Sequence, residues 1–297
     1  GNATLYSLTA ASGATCTVTS PVLTMSGDLY CDQLASVDFG SGNISLDGDF
    51  TNKGSLVSNG ILNFTGTRLQ TFQLIGAIQS TSTGVVNFNG TVCPISNSVN
   101  SSVSFYTINW NNTGTGGFDI ASPWTVVLGI NIADGTPLDF GSLTHNFYGN
   151  FTNNGTVLSS GVLNFTPHPA YTSAATIRLD AVGGAFTSSG TVNFGSLSPT
   201  PTLTILDNNP TFNNVNITCT NASGVTPPNN WTIGQNLYIG PGAIFNAGVG
   251  LSHTIAGSIT NNGTFTGNSS TITYTGNPAY ADGIGVGNYN NLTIATG

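Results

Sequence analysis

The sequence predicts an all-β chain built as a β-solenoid of tandem repeats, with tandem β-sandwich domains joined by donor-strand exchange as the alternative. Three observations carry this expectation. One seven-residue phrase occurs four times, as SNGILNF (58–64), STGVVNF (82–88), SSGVLNF (159–165) and SSGTVNF (188–194). Between turn signals such as Asn-Gly lie runs of four to seven β-branched and aromatic residues, TVLSS, VLNFT and TITYT among them. Helix formers are scarce, with no Glu and a single Met. A phrase repeated along a chain belongs to architecture, whereas a catalytic site is normally built once.

The elements follow in order. Residues 1–27 match no repeat and read as an extended segment, which either caps its own solenoid or donates a strand to a neighbour. Residues 28–118, 119–224 and 225–297 read as three related arrays. Their longer copies are GDFTNKGSLVSNGILNFTG (48–66), GNFTNNGTVLSSGVLNFTP (149–167) and GSITNNGTFTGNSSTITYTG (257–276). Gly54, Gly155 and Gly263 fall in register after Asn52, Asn153 and Asn261. Each array closes on an aromatic strand: FYTINWNN (105–112), FNNVNIT (212–218) and YNNLTI (289–294). Asn63, Asn87, Asn164 and Asn193 each precede Phe, so stacked coils would align them as amide ladders beside stacked rings; the alternative is that they simply face water.

Composition narrows the partners. Hydrophobic residues are 38% of the chain, enough for a core, but charged residues are only 5%, against about 25% in ordinary domains. The net charge is −8, and the cations are Lys53, Arg68 and Arg178 alone. That excludes a nucleic-acid partner, which needs clustered cations to displace counterions. No apolar run reaches the ~20 residues of a spanning helix, so no membrane span is expected. The chain opens GNATLY without Met, as a processed, exported chain would.

The pattern GNFTNNGT (149–156) followed by VLNFT and closed by YNNLTI (289–294) resembles the Asn/Gly/Thr-rich repeats of large, adhesin-like bacterial and archaeal surface proteins. The resemblance covers most of residues 40–297 and implies a β-solenoid at the cell surface. The low charge and Ser/Thr/Asn-rich surface also resemble glycosylated extracellular filament subunits of archaea, in some of which an N-terminal strand inserts into the next subunit. The expectation is therefore an extracellular structural subunit of a filament, pilus or coat, with itself as partner. The alternative is a carbohydrate-binding adhesin module, with glycans or neighbouring cells as partners.

Candidate functional residues are few. The sequon N-x-S/T occurs at Asn2, Asn43, Asn63, Asn89, Asn100, Asn111, Asn150, Asn154, Asn164, Asn216, Asn221, Asn230, Asn262, Asn268 and Asn291, with Asn154 and Asn262 expected to be the most accessible. Cys16, Cys31, Cys93 and Cys219 have no CxxC spacing; Cys16–Cys31 with Cys93–Cys219 is the preferred disulfide pairing, and buried thiols are the alternative. DGDFTN (47–52) has the spacing of a short calcium loop, but its counterparts lose both carboxylates, which favours turn chemistry. His145, His168 and His253 have no partner pattern, and Arg178 with Asp180 reads as a local ion pair. No cofactor, metal or catalytic set is expected. Trp124 and Trp231 would be sugar-stacking residues in the adhesin reading, or core plugs otherwise.

Overall fold

The computed structural model describes residues 1–66, 71–74, 77–79, 84–91, 95–96, 103–114, 120, 122–172, 174–180, 184–196, 201–208, 210–276 and 288–295. It divides into two compact units, Gly1–Leu143 and Thr144–Gly297. Among the described residues there is no helix, and hence none long and apolar enough to cross a membrane. Both units are β-solenoids of stacked parallel strands, not sandwiches.

In the first unit three parallel sheets run side by side. The first contains β1 (Ala3–Leu5), β4 (Val22–Met25), β7 (Asn43–Leu46), β10 (Ile61–Phe64), β13 (Val85–Phe88), β15 (Val103–Trp110) and β16 (Trp124–Ile132). The second contains β2 (Leu8–Ala10), β5 (Leu29–Cys31), β8 (Phe50–Asn52), β11 (Thr71–Leu74) and β14 (Ile95–Ser96). The third contains β3 (Thr15–Thr17), β6 (Ser36–Asp38), β9 (Ser55–Val57) and β12 (Ala77–Gln79). Paired residues on neighbouring coils lie 18 to 24 positions apart in the chain. The structural repeat is thus one coil of three short strands.

Residues 1–27 pair with the coil that follows them, through the register Ala3↔Leu23, Leu8↔Leu29 and Cys16↔Val37.

The second unit follows the same plan. One ladder passes from β18 (Thr144–Phe147) through β21 (Val162–Phe165), β23 (Ala185–Gly195), β25 (Thr211–Thr218) and β27 (Leu237–Ile239) to β30 (Ile259–Asn261). Another passes from β20 (Thr156–Ser159) through β23 and β25 to β26 (Thr232–Ile233), β29 (Ser252–Ile255), β32 (Thr271–Tyr274) and β33 (Asn291–Ile294). β19 (Asn150–Asn153), β22 (Ala174–Arg178) and β24 (Thr202–Leu206) form a third ladder.

The repeated phrase now has a physical meaning. In SSGVLNF and its relatives the leading Ser faces inward: Ser58, Ser159 and Ser188 are buried, and among the described residues their hydroxyls have no hydrogen-bond partner. The Gly follows because the preceding coil passes too close for a side chain. A Cβ on Gly60 would lie 2.1 Å from the Gly42 carbonyl oxygen, and one on Gly190 would lie 1.9 Å from that of Gly161. These glycines are not in the left-handed region; close approach, and not turn conformation, requires them. Leu62, Leu163 and Val192 then fill the core, Asn points outward and Phe inward.

Candidate functional site

The outward Asn residues form amide ladders. In the first unit Asn63 Nδ2 donates to Asn43 Oδ1 at 2.7 Å, Asn87 to Asn63 at 2.7 Å and Asn109 to Asn87 at 2.8 Å. In the second, Asn164 donates to Asn146 at 2.8 Å, Asn193 to Asn164 at 2.5 Å and Asn216 to Asn193 at 2.8 Å. On the inner face the rings stack in step: Phe64 on Phe88 at 5.3 Å, Phe147 on Phe165 at 5.3 Å and Phe165 on Phe194 at 5.7 Å. Each rung satisfies one donor and one acceptor on adjacent coils, so the ladder pins the strand register that main-chain bonds alone leave free to slip.

A second device staples coils at their corners. A side-chain oxygen accepts the backbone N–H of a residue one coil further on: Asp28 from Asp49, Asp49 from Thr71, Asn150 from Thr176 and Asn230 from Ser252, at 2.7–2.9 Å. Asp49 of the DGDFTN stretch is engaged in this way, and among the described residues no three His, Cys, Asp or Glu side chains converge on a metal position. The asparagines of the NxG turns accept the glycine N–H two residues later, Asn52 from Gly54, Asn153 from Gly155 and Asn261 from Gly263.

The expected disulfide is corrected. Cys16, Cys31 and Cys219 are free thiols. Cys16 sits on β3 over Val37, whereas Cys31 sits on β5 between Ala10 and Asn52, so the two belong to different sheets of the coil. Burial pushes the Cys31 and Cys219 thiols above their usual range. Cys93 lies outside the described residues.

Sugar stacking by the two tryptophans is likewise overturned, because neither ring reaches solvent. Trp124 packs against Phe105 at 5.2 Å and Phe140 at 6.1 Å. Trp231 stacks on Phe194 at 5.5 Å and meets Phe212 at 5.1 Å. Two titratable groups clamp Trp231. Its indole Nε1–H donates to Asp207 Oδ2 at 2.6 Å, and its backbone N–H donates to His253 Nδ1 at 3.0 Å. His253 Nε2 faces the Ala247 carbonyl at 2.7 Å, which fixes the neutral tautomer with its proton on Nε2, and burial holds its pKa below the usual value. Burial raises the Asp207 carboxyl from 3.8 to about 6, opposed by the Trp231 hydrogen bond and reinforced by the charge of Asp180. Asp180 is itself buried and accepts the Asn208 N–H from the next coil.

Of the sequon asparagines, Asn2, Asn43, Asn89, Asn111, Asn150, Asn230, Asn262, Asn268 and Asn291 are exposed. Asn63, Asn154, Asn164 and Asn216 are half-buried, and Asn221 is buried. Asn100 lies outside the described residues. Asn63, Asn164 and Asn216 use in the ladders the same Nδ2 to which a glycan would attach, and Asn111 Nδ2 donates to Asn89 Oδ1 at 2.8 Å.

One surface cluster was not singled out in the sequence. Tyr148, His168 and Tyr171 bring three rings together on the second unit, with centroids 5.0–6.2 Å apart. Its signal, HPAY (168–171), sits in an irregular insertion where no repeat pointed to it.

Compared with known protein families, characterised proteins and solved structures, the chain has no match.

Proposed function

We propose that the chain is a structural subunit of an extracellular filament or surface coat that associates through its strand edges. The observation that carries this reading is the matching pattern of two strands, β1 and β33. Among the described residues β1 pairs with β4 alone and β33 with β32 alone. By register, Ala3 and Leu5 stand in line with buried Leu23 and Met25, while Leu292 and Ile294 stand in line with buried Ile272 and Tyr274. Both strands therefore present an apolar–Thr–apolar triplet in the same phase, with Leu5, Leu292 and Ile294 exposed. Neither strand carries a Lys, a Pro or a charge, the residues that discourage strand pairing. A second copy placing β33 beside β1 would continue the parallel ladder, with Leu292 over Ala3 and Ile294 over Leu5. In this reading glycans would occupy the exposed asparagines whose Nδ2 makes no hydrogen bond to a described residue, Asn2, Asn43, Asn89, Asn150, Asn230, Asn262 and Asn268, whereas Asn111 Nδ2 donates to Asn89 and Asn291 Nδ2 to the Thr271 hydroxyl.

Negative-stain electron microscopy of the purified chain at neutral pH tests the proposal. Uniform fibres with a regular axial repeat are expected, and Leu292→Lys with Ile294→Lys should abolish them while leaving the melting temperature unchanged. Discrete particles at every concentration would refute it.

A further inference from the structure

The Tyr148, His168 and Tyr171 cluster has the chemistry of a ligand platform. The loop that carries it is tightly built. His168 N–H donates to the Tyr148 carbonyl at 3.3 Å, which ties the loop to the preceding coil. The N–H groups of Tyr171 and Thr172 both return to the His168 carbonyl, at 2.9 and 3.0 Å. Ala170 N–H donates to His168 Nδ1 at 3.1 Å, and the Thr172 hydroxyl donates to the Ala174 carbonyl. With Nδ1 accepting, the imidazole proton sits on Nε2.

The rings are arranged around His168. Its centroid is 5.3 Å from Tyr148 and 5.0 Å from Tyr171, tilted by about 40° to each, while the two tyrosine rings lie within 10° of parallel. Tyr171 is 43% exposed, the other two partly so. None of the three polar tips, Tyr148 Oη, Tyr171 Oη or His168 Nε2, makes a hydrogen bond to another described residue. The cluster thus offers an apolar ring face bordered by two hydroxyls and one N–H, with no charged partner.

We propose that Tyr148, His168 and Tyr171 form a binding site for a neutral hexose-based glycan. A pyranose presents the complementary pair of features: an apolar C–H face that packs on an aromatic ring, and equatorial hydroxyls around its rim that meet polar tips. An anionic ligand lacks a counter-charge here, and a flat aromatic ligand would leave the rim donors unused. The loop is pre-ordered by its own hydrogen bonds, so little ordering cost is left for binding. The site goes beyond the filament reading and does not depend on assembly.

The test uses the full chain and saturation-transfer NMR with maltohexaose, cellohexaose and β-1,4-galactotetraose, with tetragalacturonate as the charged control. At least one neutral oligosaccharide should bind through its ring C–H protons, with tetragalacturonate weaker. Tyr171→Ala should lower that affinity by about tenfold or more, the equivalent of about 1.4 kcal/mol, at an unchanged melting temperature. Tyr171→Phe, which keeps the ring, should retain most of it. The assignment is overturned if none of the three neutral sugars gives saturation transfer at about 10 mM, where a Kd in the millimolar range is still detected. Wild-type affinity in Tyr171→Ala, or preference for tetragalacturonate, would overturn it equally.

Discussion

Replacing Asp207 by Asn should make the stabilities of variant and wild type diverge with pH in one defined direction. The carboxyl is shifted from 3.8 to about 6 in the folded chain, chiefly by burial. Above pH 6 the folded state carries an anion in a place that disfavours it. As pH falls through 6, the folded state takes up a proton before the unfolded chain does, so the wild type gains stability, and the gain is complete below the unfolded value of 3.8. At about 1.36 kcal/mol per pKa unit, the full shift corresponds to about 3 kcal/mol. The group is only partly buried, so screening by solvent brings the expected figure to about 1–2 kcal/mol. In Asp207→Asn the amide oxygen still accepts from Trp231 Nε1–H, and nothing titrates at this position. The new NH₂ takes the place of an oxygen that has no partner, a cost that is the same at every pH. His253 runs the opposite way, losing stability as pH falls below its ordinary 6.5, but it is common to both proteins and cancels in the difference. Urea unfolding followed by tryptophan fluorescence, at about pH 7.5, 6, 5 and 4, gives the stability of each protein. The wild type minus variant difference should rise by about 1–2 kcal/mol between the first and last of these. A flat or falling difference would refute the account of a desolvated carboxyl under Trp231.

Two further perturbations probe the stack. Asn164→Ala removes one rung to Asn146 and one from Asn193; at about 1 kcal/mol per hydrogen bond, its urea midpoint should fall by the equivalent of about 2 kcal/mol, whereas exposed Asn262→Ala should stay within about 0.5 kcal/mol. Equal effects would show that the ladders do not hold the coils. Gly190→Ala places a Cβ 1.9 Å from the Gly161 carbonyl oxygen, so soluble folded protein should be lost, or stability should fall by more than about 3 kcal/mol. Gly135→Ala, at φ +70° with open space around it, should cost only about 1–2 kcal/mol, measured in the same way.

The repeat was legible because the solenoid imposes the same local demands on every coil. Asn63, Asn87, Asn164 and Asn193 advertised their ladder by always preceding an inward Phe, and both the rungs and the stacked rings are present. The true period was harder to read. The coil of about 20 residues was hidden by insertions at the corners, and the most similar copies, around Asn52, Asn153 and Asn261, stand several coils apart. Asn-Gly was read as a turn signal, but Gly60 of one such pair serves close approach, as does Gly190 after Ser189, and that depends on the coil stacked beside them, which no local pattern encodes. The cysteines misled for the same reason: Cys31 comes fifteen positions after Cys16, a short loop in sequence, but between them the chain runs through β4 of the first sheet before it reaches β5 of the second. Trp124 and Trp231 were singled out as sugar-stacking candidates or core plugs, while the aromatic cluster around His168 lay in an insertion with no repeat to mark it.

The amide ladders carry a consequence for the medium in which such a stack can work. Contacts between opposite charges weaken as ions crowd in between them, over a distance of about 10 Å at 0.1 M salt. A rung from Asn87 to Asn63, or from Asn193 to Asn164, joins two uncharged amides and offers mobile ions nothing to screen. With 5% charged residues in the whole chain, the coils are held together by forces that read almost the same in dilute water and in brine.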